Sequence, residues 1–122
     1  MRSIHKGVMV DVDRGTPVTD WWTDIKVPTG PMNQEKNGYP TQKPEKLLER
    51  IISTLTNEGD LVFDCFMGSG TTQTVAMKLG RKFIGADINL GAIQTTTKRL
   101  ISAMKKLDDK SYSGFEVYNV NN

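Results

Sequence analysis

Two aspartates and two glycines are the residues in this sequence best placed to do chemistry. Asp64 lies near the end of a short apolar run, "DLVFDC" (60–65), and Gly68 and Gly70 follow it within "FMGSGTT" (66–72). Asp87 lies near the end of a second run, "RKFIGADI" (81–88), 23 residues after Asp64. Glycine permits a sharp turn and lets a ligand approach the backbone. A helix starting near Thr71 aims its free N–H groups at the same place. Three ligand classes compete for such a loop. The NTPase phosphate loop needs Gly-Lys-Ser/Thr, because its lysine reaches the terminal phosphates. Here Gly70 is followed by Thr71 and Thr72, and the next lysine is Lys78. The dinucleotide fingerprint G-x-G-x-x-G is matched only in part, since "GSGTTQ" puts Gln73 in the third glycine's place. The third class is a nucleoside with a charged amino-acid tail. Asp87 is spaced to accept both ribose hydroxyls. Asp64 would repel a pyrophosphate, but would receive an ammonium or attract a sulfonium. Two acids and two glycines around one crevice therefore favour S-adenosylmethionine over NAD. The plain structural alternative is that strand-end aspartates cap the next helix and a Gly-rich turn merely turns.

The surrounding pattern supplies elements to hold these residues. "KPEKLLERIISTLTNEG" (43–59) spaces Leu47, Leu48, Ile51, Ile52 and Leu55 as a helix, with Pro44 in its first turn, Glu45 near its positive end and Gly59 at its stop. Residues 60–65 are expected as a buried strand. Residues 70–80 are expected as a helix with Val75, Ala76 and Leu79 on one face and Gly80 at its end. Residues 81–88 read as a second strand, and 90–107 as a third helix with Ile93, Thr97, Leu100 and Met104 in line. "GFEVYNV" (114–120) alternates like an edge strand. A strand–helix–strand order implies a parallel pair joined by a right-handed crossover. The fold expected is a partial Rossmann-like α/β sheet with flanking helices over residues 43–122. An irregular arm, residues 1–42, precedes it. Pro17, Pro28, Pro31 and Pro40, with Gly7, Gly15, Gly30 and Gly38, break up that arm. Within it, "GVMVDV" (7–12) reads as a short strand and "TDWWTDI" (19–25) as an aromatic plug.

With 122 residues the chain suits one compact domain. Its charge of +2, from 16 basic and 14 acidic residues, neither demands nor excludes nucleic acid. The single Cys65 leaves no intrachain disulfide framework and no cysteine-built metal site, so no metal ligands are assigned. No apolar run reaches a membrane span and no signal-peptide core opens the chain, so a cytoplasmic location without membrane partners is expected. His5 has no sequence partner. Lys98, Arg99, Lys105 and Lys106 read as a solvated helix face, with phosphate contact as the sharper alternative.

"YPTQKPEKLLERII" (39–52), then "DLVFDCFMGSGTT" (60–72) and "FIGADIN" (83–89), resemble the DNA amino-methyltransferases, which methylate adenine N6 or cytosine N4. The resemblance spans roughly residues 19–107 and is to the permuted class, in which the cofactor half follows the catalytic half. It implies S-adenosylmethionine as cofactor. Phe66, Gly68 and Gly70 would wrap the methionine part, with Thr71 at the following helix start. Asp64 would lie near its amino group. Asp87 would hold the ribose, with Ile88 against the adenine. Thr41, Gln42, Lys43 and Pro44 would close the pocket. Cys65 stands where the family more often has proline.

One departure bears on activity. The family's catalytic motif, Asp/Asn/Ser-Pro-Pro-aromatic, belongs before "TQKP" in this order, yet the chain has no Pro-Pro pair. That motif holds the flipped base and its amino group in line with the methyl. No catalytic residue is therefore assigned. Trp21 and Trp22 are candidates for stacking on a base, though packing in the fold is the expectation. The resemblance implies DNA as partner, through a complete enzyme or a complementary catalytic chain, with a homodimer as another way to complete the sheet. The alternative is a non-enzymatic remnant or oligomerising module.

Overall fold

The computed structural model describes residues 2–5, 8–11, 17, 19–26, 38–107 and 114–120. Among them the element order is β1 (Arg2–His5), β2 (Val8–Asp11), α1 (Glu45–Leu55), β3 (Leu61–Asp64), α2 (Thr71–Lys78), β4 (Lys82–Gly85) and α3 (Leu90–Lys106). β1 and β2 form an antiparallel pair with Arg2 opposite Asp11. The short strand expected at 7–12 is thus β2. Its partner β1 was not expected, and it gives the arm regular structure at its start. Most of the irregular stretch expected around Pro28 and Pro31, and the side chain of His5, lie outside the described residues.

β3 and β4 pair in parallel, with Val62 beside Phe83 and Phe63 beside Ile84. α2 is the crossover between them, and the right-handed rule puts it on one face of the pair. α1 and α3 flank α2 on that same face. One core joins Ile52, Val75 and Ala76 with Leu48, Val62, Leu79 and Phe83. A second joins Met77, Leu100 and Ala103 with Phe83, Met104, Leu107 and Phe115. Phe83 belongs to both, so the sheet binds the two halves of the helix layer. α2 is buried at Thr71 and from Gln73 to Met77, because helices lie on two of its sides and strands on a third. That is why it lacks the amphipathic stripe of a surface helix.

Several sequence expectations are corrected here. β3 and β4 are half-buried, not buried: Leu61, Phe63 and Ile84 on the far face are 57%, 63% and 51% exposed. With the three helices of the described residues on one face, every second strand residue is left outside. Residues 114–120 form no strand; they run irregularly, with Phe115 packed on the second core. Pro44 is the N-cap of α1, in extended conformation, and not a first-turn residue. α1 stops at Leu55, with Thr56 as its C-cap, before Gly59, whose N–H donates to the Gly80 carbonyl at 2.9 Å and ties together the turns ahead of β3 and β4. Leu55, placed on the α1 apolar face, is 77% exposed. The buried face of α3 is Ala92, Thr96, Leu100 and Ala103, not the line through Ile93 and Thr97. Trp21 is 79% exposed and plugs nothing. Trp22 instead lies under the Arg50 guanidinium, 5.2 Å from the ring centroid. Arg50 also grips Asp24 with both nitrogens, which docks the aromatic segment on α1. The hydrogen bonds from Arg50 and Lys46 hold the Asp24 carboxyl well below the usual carboxylate range.

Candidate functional site

The glycine loop runs from the end of β3 to α2, and many of its polar groups have identifiable anchors. Sheet pairing persists past the strands: Ala86 N–H donates to the Asp64 carbonyl (2.9 Å) and Met67 N–H to the Ala86 carbonyl (3.1 Å). This brings the Asp87 turn against the loop. Asp87 Oδ2 accepts from Gly68 N–H at 2.9 Å and Oδ1 from Asn89 N–H at 2.8 Å. Asp64 Oδ1 accepts from Phe66 N–H at 3.1 Å and Oδ2 from the Thr72 hydroxyl at 2.7 Å. Both aspartates thus organise the loop and its neighbouring turn, but neither caps a helix as the capping alternative expected: the N-caps of α2 and α3 are Gly70 and Asn89. A carboxylate offers about four acceptor sites, so each retains acceptor capacity for a ligand.

The two glycines have different physical reasons. Gly68 has φ +52°, and a Cβ there would lie 3.4 Å from the Tyr39 ring. Gly70 has φ +73°, and a Cβ would come within 2.5 Å of Thr96 Cγ2 on α3. Gly70 is buried and its bareness serves the packing of α3 against the loop. Thr71 begins α2 and is buried; its hydroxyl contacts the Lys43 carbonyl at 3.3 Å. That bond joins the loop to the 41–44 segment. There Gln42 and Pro44 are buried, while Thr41 and Lys43 are exposed and Lys43 Nζ folds back to the Thr41 carbonyl. Phe66 and Ile88, on the two turns that Asp87 connects, are 87% and 104% exposed. Exposed apolar side chains at the mouth of a polar, backbone-rich loop are what a half-apolar ligand would cover.

The structure therefore brings Thr41–Pro44, Asp64, Phe66, Gly68, Gly70, Thr71, Asp87 and Ile88 to one end of the sheet. It also adds residues that sequence reasoning missed. Arg99, expected on a solvated face, has a side chain only 10% exposed. Its Nη1 donates to the Ser69 carbonyl (3.2 Å) and the Thr71 hydroxyl (2.9 Å), and its Nη2 to Glu45 Oε1 (2.8 Å). Thr96, three residues earlier, donates to the Gly68 carbonyl at 3.1 Å. Burial pushes the Glu45 carboxyl up, but hydrogen bonds from Lys78 and Arg99 outweigh it and hold the carboxyl below its ordinary value. The i, i+3 spacing of Thr96 and Arg99 was the available signal, had the buried face of α3 been assigned correctly. Among the described residues, no cluster of His, Cys, Asp or Glu could hold a metal, and no helix is long and apolar enough to cross a membrane.

Comparison with known proteins identifies the family and the fold. A profile of the N6/N4 DNA methylases matches residues 3–98, starting upstream of the aromatic segment. The type II methyltransferase M2.DpnII of Streptococcus pneumoniae is 44% identical over 93 residues, 76% of this chain and 34% of that protein. The DNA adenine methyltransferase YhdJ of Escherichia coli K12 is 53% identical over 66 residues, 54% of this chain and 22% of that protein. The crystal structure of the M1.HpyAVI–SAM complex superposes with a TM-score of 0.56 at 47% identity, covering 62% of this chain and 36% of that one. The chain thus spans about a third or less of the length of these relatives. Its α/β unit is a partial Rossmann-like fold of the methyltransferase type, and the chain belongs to the N6/N4 DNA methylase family.

Proposed function

We propose that this chain is the S-adenosylmethionine-binding portion of a site-specific DNA methyltransferase acting on adenine N6 or cytosine N4, and that it is inactive alone. The observation that carries this is the clasp between Asp87 and Gly68 N–H, with Phe66 and Ile88 exposed on the two turns it joins. Asp87 accepts the ribose hydroxyls while keeping the loop closed, and Ile88 lies against the adenine. Phe66, Gly68, Gly70 and Thr71 surround the methionine part, Asp64 faces its ammonium, and Thr41–Pro44 flank the pocket from the start of α1. The bound cofactor supplies an electrophilic methyl on a cationic sulfur. What these residues do is orient that methyl and offer negative charge to a cation. Residues 43–122 form this unit and residues 1–42 its arm.

Among the described residues none clamps a flipped base and the sequence holds no Pro-Pro pair, so DNA is engaged through a complete enzyme, or together with a complementary chain, that carries that motif. The far sheet face supports that requirement. Parallel sheets bury both faces, yet Leu61, Phe63 and Ile84 form an apolar strip on this one that is more than half exposed among the described residues. The same strip favours a second reading, a self-associating module without turnover, because a second copy would also cover it.

Isothermal titration with S-adenosylmethionine tests the first reading. Binding is expected for the wild type, to be weakened at least about tenfold, the worth of one charge-assisted hydrogen bond, in Asp87→Ala. Asp87→Asn retains one acceptor oxygen and should fall between the two. No binding by the wild type ends the proposal. A methyl-transfer assay with and without a Pro-Pro-bearing partner chain separates a half-enzyme from a module without turnover.

A further inference from the structure

Arg99 lies at the only point among the described residues where the glycine loop, the start of α1 and α3 meet through one side chain. Its guanidinium reaches Ser69 O, Thr71 Oγ1 and Glu45 Oε1, at 3.2, 2.9 and 2.8 Å. Thr71 in turn contacts the Lys43 carbonyl, and Lys78 holds the second Glu45 oxygen at 2.5 Å. One turn back on the same face, Thr96 takes the Gly68 carbonyl. Two successive loop carbonyls, at 68 and 69, are therefore held by α3, while the Gly68 N–H is held by Asp87. A loop with two residues at positive φ has few conformational restraints of its own. Its shape comes from these anchors. A guanidinium suits the task, since its planar fork serves several acceptors at fixed angles where an ammonium is a point charge.

We infer that Arg99, supported by Thr96, is the positioning residue that sets the glycine loop and the 41–44 segment in the relative placement needed to hold the methionine part of the cofactor. The inference rests on the cofactor reading proposed above. The Arg99 guanidinium is committed within the protein: its partners are loop backbone, a buried hydroxyl and Glu45. Asp87 and Ile88, which hold the nucleoside, are not among them, so the two ends of the ligand should respond differently to its loss.

The test compares Arg99→Lys with the wild type, using adenosine and S-adenosylhomocysteine as probes, together with amide hydrogen exchange of the unliganded protein. In Arg99→Lys, affinity for S-adenosylhomocysteine should fall about tenfold or more, the loss of one charge-assisted bond. Affinity for adenosine should stay within about twofold, because its contacts are separate. Exchange should accelerate about tenfold at Gly70 and Thr74, whose N–H groups are bonded within the loop and its helix start, by the same arithmetic. The N–H groups of Leu79 and Ala86, bonded outside it, should keep their protection. Equal losses for both ligands, or unchanged affinity for both, overturns the inference. If the wild type binds neither probe, the cofactor reading fails instead. Exchange then decides: loop amides as protected in Arg99→Lys as in the wild type overturn the positioning role, and selective loop acceleration supports it.

Discussion

Replacing Gly70 by alanine tests whether that glycine is required by packing against α3. The residue sits at φ +73°, where a side chain costs about 1–2 kcal/mol in backbone strain. The new methyl would also meet Thr96 Cγ2 at 2.5 Å, Oγ1 at 2.6 Å and Cβ at 2.9 Å. Overpacking of this kind costs about 1–3 kcal/mol. The two terms sum to roughly 2–5 kcal/mol, a large part of the 5–15 kcal/mol typical of a domain. Thr96→Ala alone removes the hydroxyl bonded to the Gly68 carbonyl and one methyl, about 1–2 kcal/mol together. The same truncation removes the two closest clashing atoms, so the double variant should be about 1–2 kcal/mol more stable than the sum of the singles predicts. Urea unfolding followed by far-UV circular dichroism measures all four corners of the cycle. Strict additivity, or a Gly70→Ala cost below about 0.5 kcal/mol, would refute the steric explanation for this glycine.

Other expectations follow from particular groups. Glu45 has a folded-state pKa below its ordinary 4.5, so its contribution is present above that pH and is lost as pH falls through the lower folded value. Glu45→Gln should therefore be less stable than the wild type at neutral pH, with the gap in urea midpoint closing below pH 4.5; a gap that widens on acidification contradicts the pairing with Lys78 and Arg99. Both side-chain polar atoms of Gln73, and the Thr74 hydroxyl, are buried with no hydrogen-bond partner among the described residues. Gln73→Met should raise stability by about 1–2 kcal/mol, since an unmet buried polar group costs that order; a destabilised variant in thermal melts would show that the amide has a bound partner. Phe63→Glu puts a charge on the uncovered sheet face, where 63% exposure already spares the fold from needing the ring. Self-association of the kind the second reading proposes, followed by light scattering, should be absent in that variant while S-adenosylhomocysteine binding stays within about twofold; association that persists in it would move the contact off this face.

Local pattern and backbone chemistry were enough to determine the helix–strand–loop–helix–strand–helix order and to place Asp64 at the end of a strand, while Asp87, expected to end the second strand, lies on the turn two residues beyond β4; the motifs themselves carried the family resemblance. Periods of two and of 3.6 are properties of the chain itself, and so are the turn demands of glycine. Tertiary structure alone decided which face of each element is buried. The strands of residues 60–65 and 81–88 carry enough apolar residues to be covered on both sides, yet the crossover rule and the neighbouring helices put every helix on one side. On α3 the apolar line through Ile93 and Leu100 and the buried line through Thr96 and Leu100 are close in angle, and contact with the glycine loop selected the second. That selection turned Arg99 inward. A charged residue is written in the sequence as a surface residue by default, because burial costs desolvation unless partners are waiting. Those partners, Ser69, Thr71 and Glu45, are 30, 28 and 54 residues away along the chain and meet only when the helices pack.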